Sequence, residues 1–143
     1  MLRAVVLIAT LLTASSVAAH AQAAANEDRA VRDVVNAYLH GLKFNDVESL
    51  RRAFWPEARL YFVGRDGHLG QLTQADWYKG FAASAGKEEQ GDLRIASLEI
   101  VCDIASVKVV EDYPGSRYTD YLSLVKFDGA WHIVNKVYTS EQR

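Results

Sequence analysis

"TDYLSLVKFDGAWHIVNKVY", residues 119–138, decides the fold. Asp128-Gly129 is a residue pair suited to positive backbone φ, and it separates two runs rich in β-branched and aromatic residues. Together these predict a β-hairpin closed by a tight two-residue turn. With Asp128 and Gly129 as the loop, Phe127 faces Ala130 and the pairs then run backwards along both strands. Lys126 meets Trp131, Leu124 meets Ile133, Leu122 meets Asn135, and Asp120 meets Val137. Side chains alternate across a strand, so these pairs share one face. That face is greasy beside the turn and becomes polar at Asn135 and Asp120, next to Tyr118. A buried carboxylate needs a partner or a shifted pKa, which makes Asp120 the first residue to examine. The other face carries Tyr121, Val125, Val134 and Tyr138 and is too apolar to be fully wetted.

Upstream of the hairpin the pattern is helical first and β-rich afterwards. Val31, Val34, Val35, Tyr38, Leu39 and Leu42 recur at helical spacing, with Asn26 as the expected N-cap and Gly41 near the end. "NDVESLRRAFWPEA" predicts a second, shorter helix capped by Asp46, ended by the restriction that Pro56 imposes on Trp55. "ARLYFVGRDGHLGQL" reads as two short strands around Asp66-Gly67. Thr73-x-x-Asp76 resembles a capping box opening a third helix through Trp77 and Phe81, which fades at Gly86. "GKEEQGD" (86–92) reads as a solvated connection. "LRIASLEIV" and "IASVKVVED" then give two more strands before the hairpin. Helices first and antiparallel strands last indicate an α+β domain.

The N-terminal stretch stands apart. "MLRAVVLIATLLTASSVAAHAQ" has an early Arg, an apolar run and an Ala19-His20-Ala21 cleavage-type site, the three-part pattern of a signal peptide over residues 1–21. Residues 22–26 read as a flexible leader and 27–140 as the domain. The expected destination is a bacterial periplasm, with no membrane association after cleavage. The single cysteine, Cys102, cannot form an internal disulfide and is expected as a small buried hydrophobe in a strand.

Bulk properties exclude several classes. A net charge of −2 is the wrong sign for a nucleic-acid binder. The four histidines lack H-x-x-x-H spacing and the lone cysteine lacks a C-x-x-C partner, so no metal site is expected. No nucleophile elbow, P-loop or dinucleotide fingerprint is present, and no cofactor is expected.

The order of elements, "YLHGLKFNDVESLRRAFWPEARL" and the closing "DYLSLVKFDGAWHIVNKVY" resemble the nuclear transport factor 2-like superfamily, nearest to its "putative lumazine-binding" (SnoaL-like) group. The matching positions are Tyr38, Gly41, Asp46, Asp120, Tyr121, Leu122, Leu124, Asp128, Gly129, Trp131 and Ile133. The resemblance implies a cystatin-like cone, a curved antiparallel sheet wrapped around three N-terminal helices, with a pocket at its open end. It also implies a homodimer through the outer sheet face. In the superfamily's isomerases a pocket Asp takes a proton and a Tyr/acid pair stabilises the oxyanion; Asp120 and Tyr38 are the candidates here.

Three functions follow. The leading one is an exported, non-catalytic domain that binds a small apolar or aromatic molecule through Tyr38, Trp55, Trp77, Tyr118 and Asn135. The alternatives are an isomerase- or dehydratase-like enzyme with Asp120 as general base, and a dimeric protein-interaction module.

Overall fold

The computed structural model describes the backbone of residues 3–143, with side chains from residue 18 on. The signal-peptide reading of residues 1–21 therefore falls largely on side chains outside the described residues. The chain divides into two units, one ending at Ala30 and one spanning Val31–Arg143. The first is helical from Arg3 onward. Among the described residues no helix is long and apolar enough to cross a membrane.

Helix α1 runs from Arg3 to Phe44 without a break at Asn26. The expected N-cap there is thus an interior residue, whose side chain accepts a hydrogen bond from Gln22 one turn earlier at 3.0 Å. The Ala-rich stretch before it consists of strong helix formers that continue the helix. Asn45 closes α1 in the left-handed region (φ 50°), a conformation Asn tolerates better than most residues. Helix α2 (Val47–Ala53) starts where the sequence predicts: the Asp46 carboxylate accepts from the amides of Glu48 (3.0 Å) and Ser49 (3.3 Å). Gly41 allows α1 and α2 to touch. A Cβ there would lie 2.4 Å from Leu50 Cδ2 and 3.0 Å from the Asp46 carbonyl.

The second unit is completed by strands β1 (Phe54–Val63) and β2 (Leu69–Thr73), helix α3 (Gln74–Tyr78) with a 3-10 turn over Lys79–Ser84, and four long strands. These are β3 (Asp92–Val101), β4 (Ile104–Tyr113), β5 (Ser116–Phe127) and β6 (Ala130–Gln142). The Thr73 hydroxyl caps α3 by accepting from the Asp76 amide at 3.1 Å. The strands form one curved, unclosed sheet in the order β2-β1-β6-β5-β4-β3. It is mixed rather than wholly antiparallel, because β1 pairs with β6 in parallel. That pairing joins the start of the domain to its end, so no hairpin turn in the sequence announces it.

The core lies between the helices and the inner sheet face. Val31, Val35, Tyr38, Leu50, Phe54, Leu60, Val107, Val109, Leu122, Leu124, Trp131 and Ile133 are all buried. The Asp128-Gly129 turn has positive φ at both residues (51° and 78°), as a primed hairpin turn requires. Cys102 is not buried in a strand. It stands exposed at the β3–β4 turn with φ 54°, because the apolar run either side of it is two strands rather than one.

The hairpin register holds near the turn and then changes. Lys126 pairs with Trp131 and Leu124 with Ile133, as the sequence predicts. Beyond them Ser123 pairs with Asn135, Leu122 with Lys136, Tyr121 with Val137 and Asp120 with Tyr138. One extra residue, Val134, is accommodated between Ile133 and Asn135, which is a β-bulge. The expected pairs Leu122–Asn135 and Asp120–Val137 are thereby replaced. A one-residue slip moves every later side chain to the opposite face, so Lys136 and Tyr138 turn inward while Asn135 and Val137 turn outward.

Candidate functional site

The bulge creates the site. Lys136, fully within the domain, meets Asp120 across the sheet with Nζ 2.7 Å from Oδ2. Helix α1 adds Tyr38 from above, and its hydroxyl accepts a hydrogen bond from Lys136 Nζ at 2.6 Å. The same hydroxyl contacts Asp120 Oδ2 and, at 3.0 Å, Glu111 Oε1. All four residues are buried. Asp120 Oδ1 is buried with no hydrogen-bond partner among the described residues.

Proton counting constrains the states of this cluster. A tyrosine hydroxyl has one hydrogen, so it can satisfy only one carboxylate at a time. Two buried carboxylates in contact cannot both be ionised cheaply. Burial pushes Glu111 up to about 8, opposed by the Lys136 charge and reinforced by the Asp120 carboxylate and a hydrogen bond with it. Burial alone would lower Lys136, but Asp120 and Glu111 outweigh it and hold the ammonium above its ordinary range. Burial, then Asp120 and Glu111, raise Tyr38 well above the usual phenol value. Burial and the neighbouring carboxylate thus favour the neutral acid of Glu111 beside the Lys136–Asp120 ion pair, and the neutral phenol of Tyr38.

Beside it opens a cavity of about 660 Å³, within the size range of small-molecule sites, about 300–1,000 Å³. Glu111 and Lys136 form its buried end. Trp77, Phe81, Tyr113, Tyr118 and Tyr138 supply aromatic wall. Lys136 Nζ lies 5.4 Å from the Trp77 ring centre and 4.7 Å from that of Tyr138, so the ammonium also faces two π systems. Glu88 and Glu89 are the more exposed acidic residues of the lining, and buried Asn45 lies in it too.

The loop carrying those two glutamates is anchored rather than merely solvated. Lys43 Nζ donates to the carbonyls of Glu89 (2.6 Å) and Gly91 (3.0 Å), and Asn45 Nδ2 donates to the Lys87 carbonyl and to Glu89 Oε1, both at 2.9 Å. The Glu89 amide in turn donates to the Lys43 carbonyl at 2.8 Å.

Of the residues singled out in the sequence, Tyr38, Asp120, Trp77 and Tyr118 converge here. Tyr38 and Asp120 stand behind the cavity wall, and Trp77 and Tyr118 form part of it. Trp55 and Asn135 do not join them. Trp55 packs on Phe127 and His132, with ring centres 4.8 and 5.7 Å away, and is 37% exposed. It follows inward-facing Phe54 on an extended strand, and alternation directs it to the other side. Asn135 is turned outward by the bulge. The residues that sequence reasoning missed are Glu111 and Lys136. Glu111 continues the inward alternation Ala105, Val107, Val109 along β4, a signal that was there to be read. Lys136 was signalled only by the need of buried Asp120 for a cation nearby.

Among the described residues no group of three or more His, Cys, Asp or Glu side chains could hold a metal ion.

Comparison with known proteins agrees with this architecture. Aldolase FrzH of a Cladobotryum species is 24% identical over 119 residues, covering 82% of this chain and 94% of that protein. A nuclear transport factor 2-like protein of unknown function from Shewanella baltica superposes with a TM-score of 0.75 at 27% identity, over 82% of this chain and 95% of its own. Another, from Silicibacter pomeroyi, gives a TM-score of 0.72 at 26% identity, over 82% and 98%. The family model described as "Putative lumazine-binding" matches residues 26–139, and the chain belongs to that family, on the nuclear transport factor 2-like fold.

Proposed function

We propose that this is an exported small-molecule-binding domain whose cavity holds a partly apolar ligand by an oxygen acceptor. The observation that carries the reading is Lys136. Lys136 lines the cavity, and its ammonium is charge-balanced by buried Asp120 and has Asp120 and Tyr38 as hydrogen-bonding partners for three N–H groups. Glu111 lines the cavity beside it. Such an end favours a carbonyl or similar oxygen, while the aromatic wall takes apolar surface. The leader sequence supports export to a periplasm.

Native mass spectrometry of protein purified from its own host tests this. A co-purifying small molecule is expected in the wild type and not in D120N/K136M, which removes both charges of the pair together. Retention of the same ligand by that variant would sink the reading.

A catalytic reading is favoured by two specific observations: a relative is named an aldolase, and Glu111 is raised to about 8, close to what a proton-transfer group requires. In that reading ionised Glu111 takes a proton α to the ligand's carbonyl, and Lys136, held from behind by Tyr38, stabilises the resulting enolate oxygen. Asp120 then positions Lys136 rather than acting as the base, since it lies behind the wall. E111Q would abolish proton exchange at the α-carbon of a bound ketone while leaving ketone binding intact.

A homodimer through the outer sheet face is supported by Tyr121 and Val137, paired neighbours that are 53% and 47% exposed. Tyr138, which the uninterrupted register would put there, faces the cavity instead. Y121E/V137E is expected to leave only monomer in sedimentation; an unchanged mass would dismiss this interface.

A further inference from the structure

We infer that the ligand carries a protonated amine, held by the more exposed Glu89 while its oxygen reaches Lys136. This rests on the binding reading above and deepens it by naming the charge of the ligand.

The charge of the lining is the first observation. Its ionisable side chains other than tyrosines are Glu88, Glu89, Glu111 and Lys136. Lys136 is cancelled by Asp120 at 2.7 Å, and Glu88 is paired with Lys43 at 3.4 Å. Glu111 favours its neutral acid. That leaves the Glu89 carboxylate, whose hydrogen-bond partner is the uncharged amide of Asn45. An anionic ligand would meet this carboxylate, and a neutral ligand would leave it unused.

The second observation is rigidity. Five hydrogen bonds tie residues 87–91 to the end of α1. Asn45, the hinge of this arrangement, is buried and held at positive φ. A carboxylate fixed in this way loses little side-chain freedom on binding, so more of the attraction appears as affinity.

The third observation is the aromatic part of the lining. Trp77, Phe81, Tyr113, Tyr118 and Tyr138 present π surface, which attracts organic cations and repels none of the ligand's apolar body. The lining thus combines a buried ammonium, aromatic surface and a more exposed carboxylate. An amine-bearing carbonyl compound matches that combination.

Three probes of similar shape test the inference by calorimetry on the intact protein: para-(aminomethyl)acetophenone, para-ethylacetophenone and para-acetylbenzoate. The amine is expected to bind tightest and the carboxylate weakest. E89Q, which keeps an oxygen for Asn45, is expected to weaken the amine roughly three- to five-fold, the range of an exposed charge contact, and to leave the neutral ketone unchanged. Equal binding of amine and neutral ketone, or preference for the carboxylate, would overturn the amine assignment while leaving the pocket reading standing. Loss of ketone binding in D120N/K136M would support that reading independently. Absence of binding by all three probes would overturn the pocket reading and this inference with it.

Discussion

The two halves of the β5–β6 hairpin share a face yet obey different rules. Beside the turn, Leu124–Ile133 and Lys126–Trp131 follow uninterrupted alternation, and Leu124, Ile133 and Trp131 are ordinary core. Beyond Val134 the ladder shifts by one residue, and the face acquires Lys136, Asp120 and Tyr138. The first half obtains its stability from burying apolar area. The second buries charges, which is worthwhile only while each has its partner. The difference is how the same sheet serves as core at one end and as cavity wall at the other.

The comparison breaks most severely at Lys136. K136M leaves Asp120 ionised or protonated without its cation in a dry site, a change that costs about 3–5 kcal/mol. D120N/K136M removes both charges and should recover most of that loss, measured by urea denaturation at neutral pH. Equal stability of the single and double variants would mean that the pair is not closed in solution. In the turn-proximal half, L124A should cost about 2–5 kcal/mol through lost burial and a residual cavity, and no second substitution at Ile133 should rescue it. Rescue in one half and not in the other is the expected signature of the two rules.

Next in size is the pH dependence of the charged half. Glu111 rises from the ordinary 4.5 to about 8 in the folded protein. The folded state therefore binds a proton that the unfolded state has released between those values. Stability from this group is complete below about 4.5 and lost as pH rises through about 8, with a slope of up to about 1.4 kcal/mol per pH unit. E111Q should flatten that slope while leaving stability at low pH nearly unchanged. A wild-type profile already flat over this range would show that Glu111 is not buried as a neutral acid.

Much of the fold was legible because it depends on local chemistry. Asp46 announces a helix start, Asp128-Gly129 a turn, and the apolar stripe of α1 its buried side. The site was half legible. Tyr38, Trp77, Tyr118 and Asp120 lie on elements whose periodicity survives intact, and Glu111 could have been found by the same count. Lys136 could not be placed by alternation, since a bulge is an exception that alternation does not encode. Trp55, expected at the ligand, faces away for a related reason: strand geometry gives its neighbour Phe54 the inward position. The parallel β1–β6 pair depends on contacts between distant parts of the chain and has no local signature at all.

The smallest expected effect is the sharpest test of the bulge. Val134 is the residue with no partner in the ladder, so deleting it joins Ile133 directly to Asn135. The pairs Ser123–Asn135, Leu122–Lys136 and Asp120–Tyr138 are then reached by plain alternation from Leu124–Ile133, and Lys136 stays inward. The deletion should cost far less than K136M, retain the pH slope that Glu111 supplies, and keep its sensitivity to a second K136M substitution. Were the native ladder uninterrupted, with Asn135 opposite Leu122, the same deletion would swing Lys136 from the solvent face into the core and be among the most damaging changes available. Denaturation of the deletion variant, alone and combined with K136M, separates the two cases, because only a native bulge makes the loss of a whole strand residue cheaper than the loss of one ammonium group.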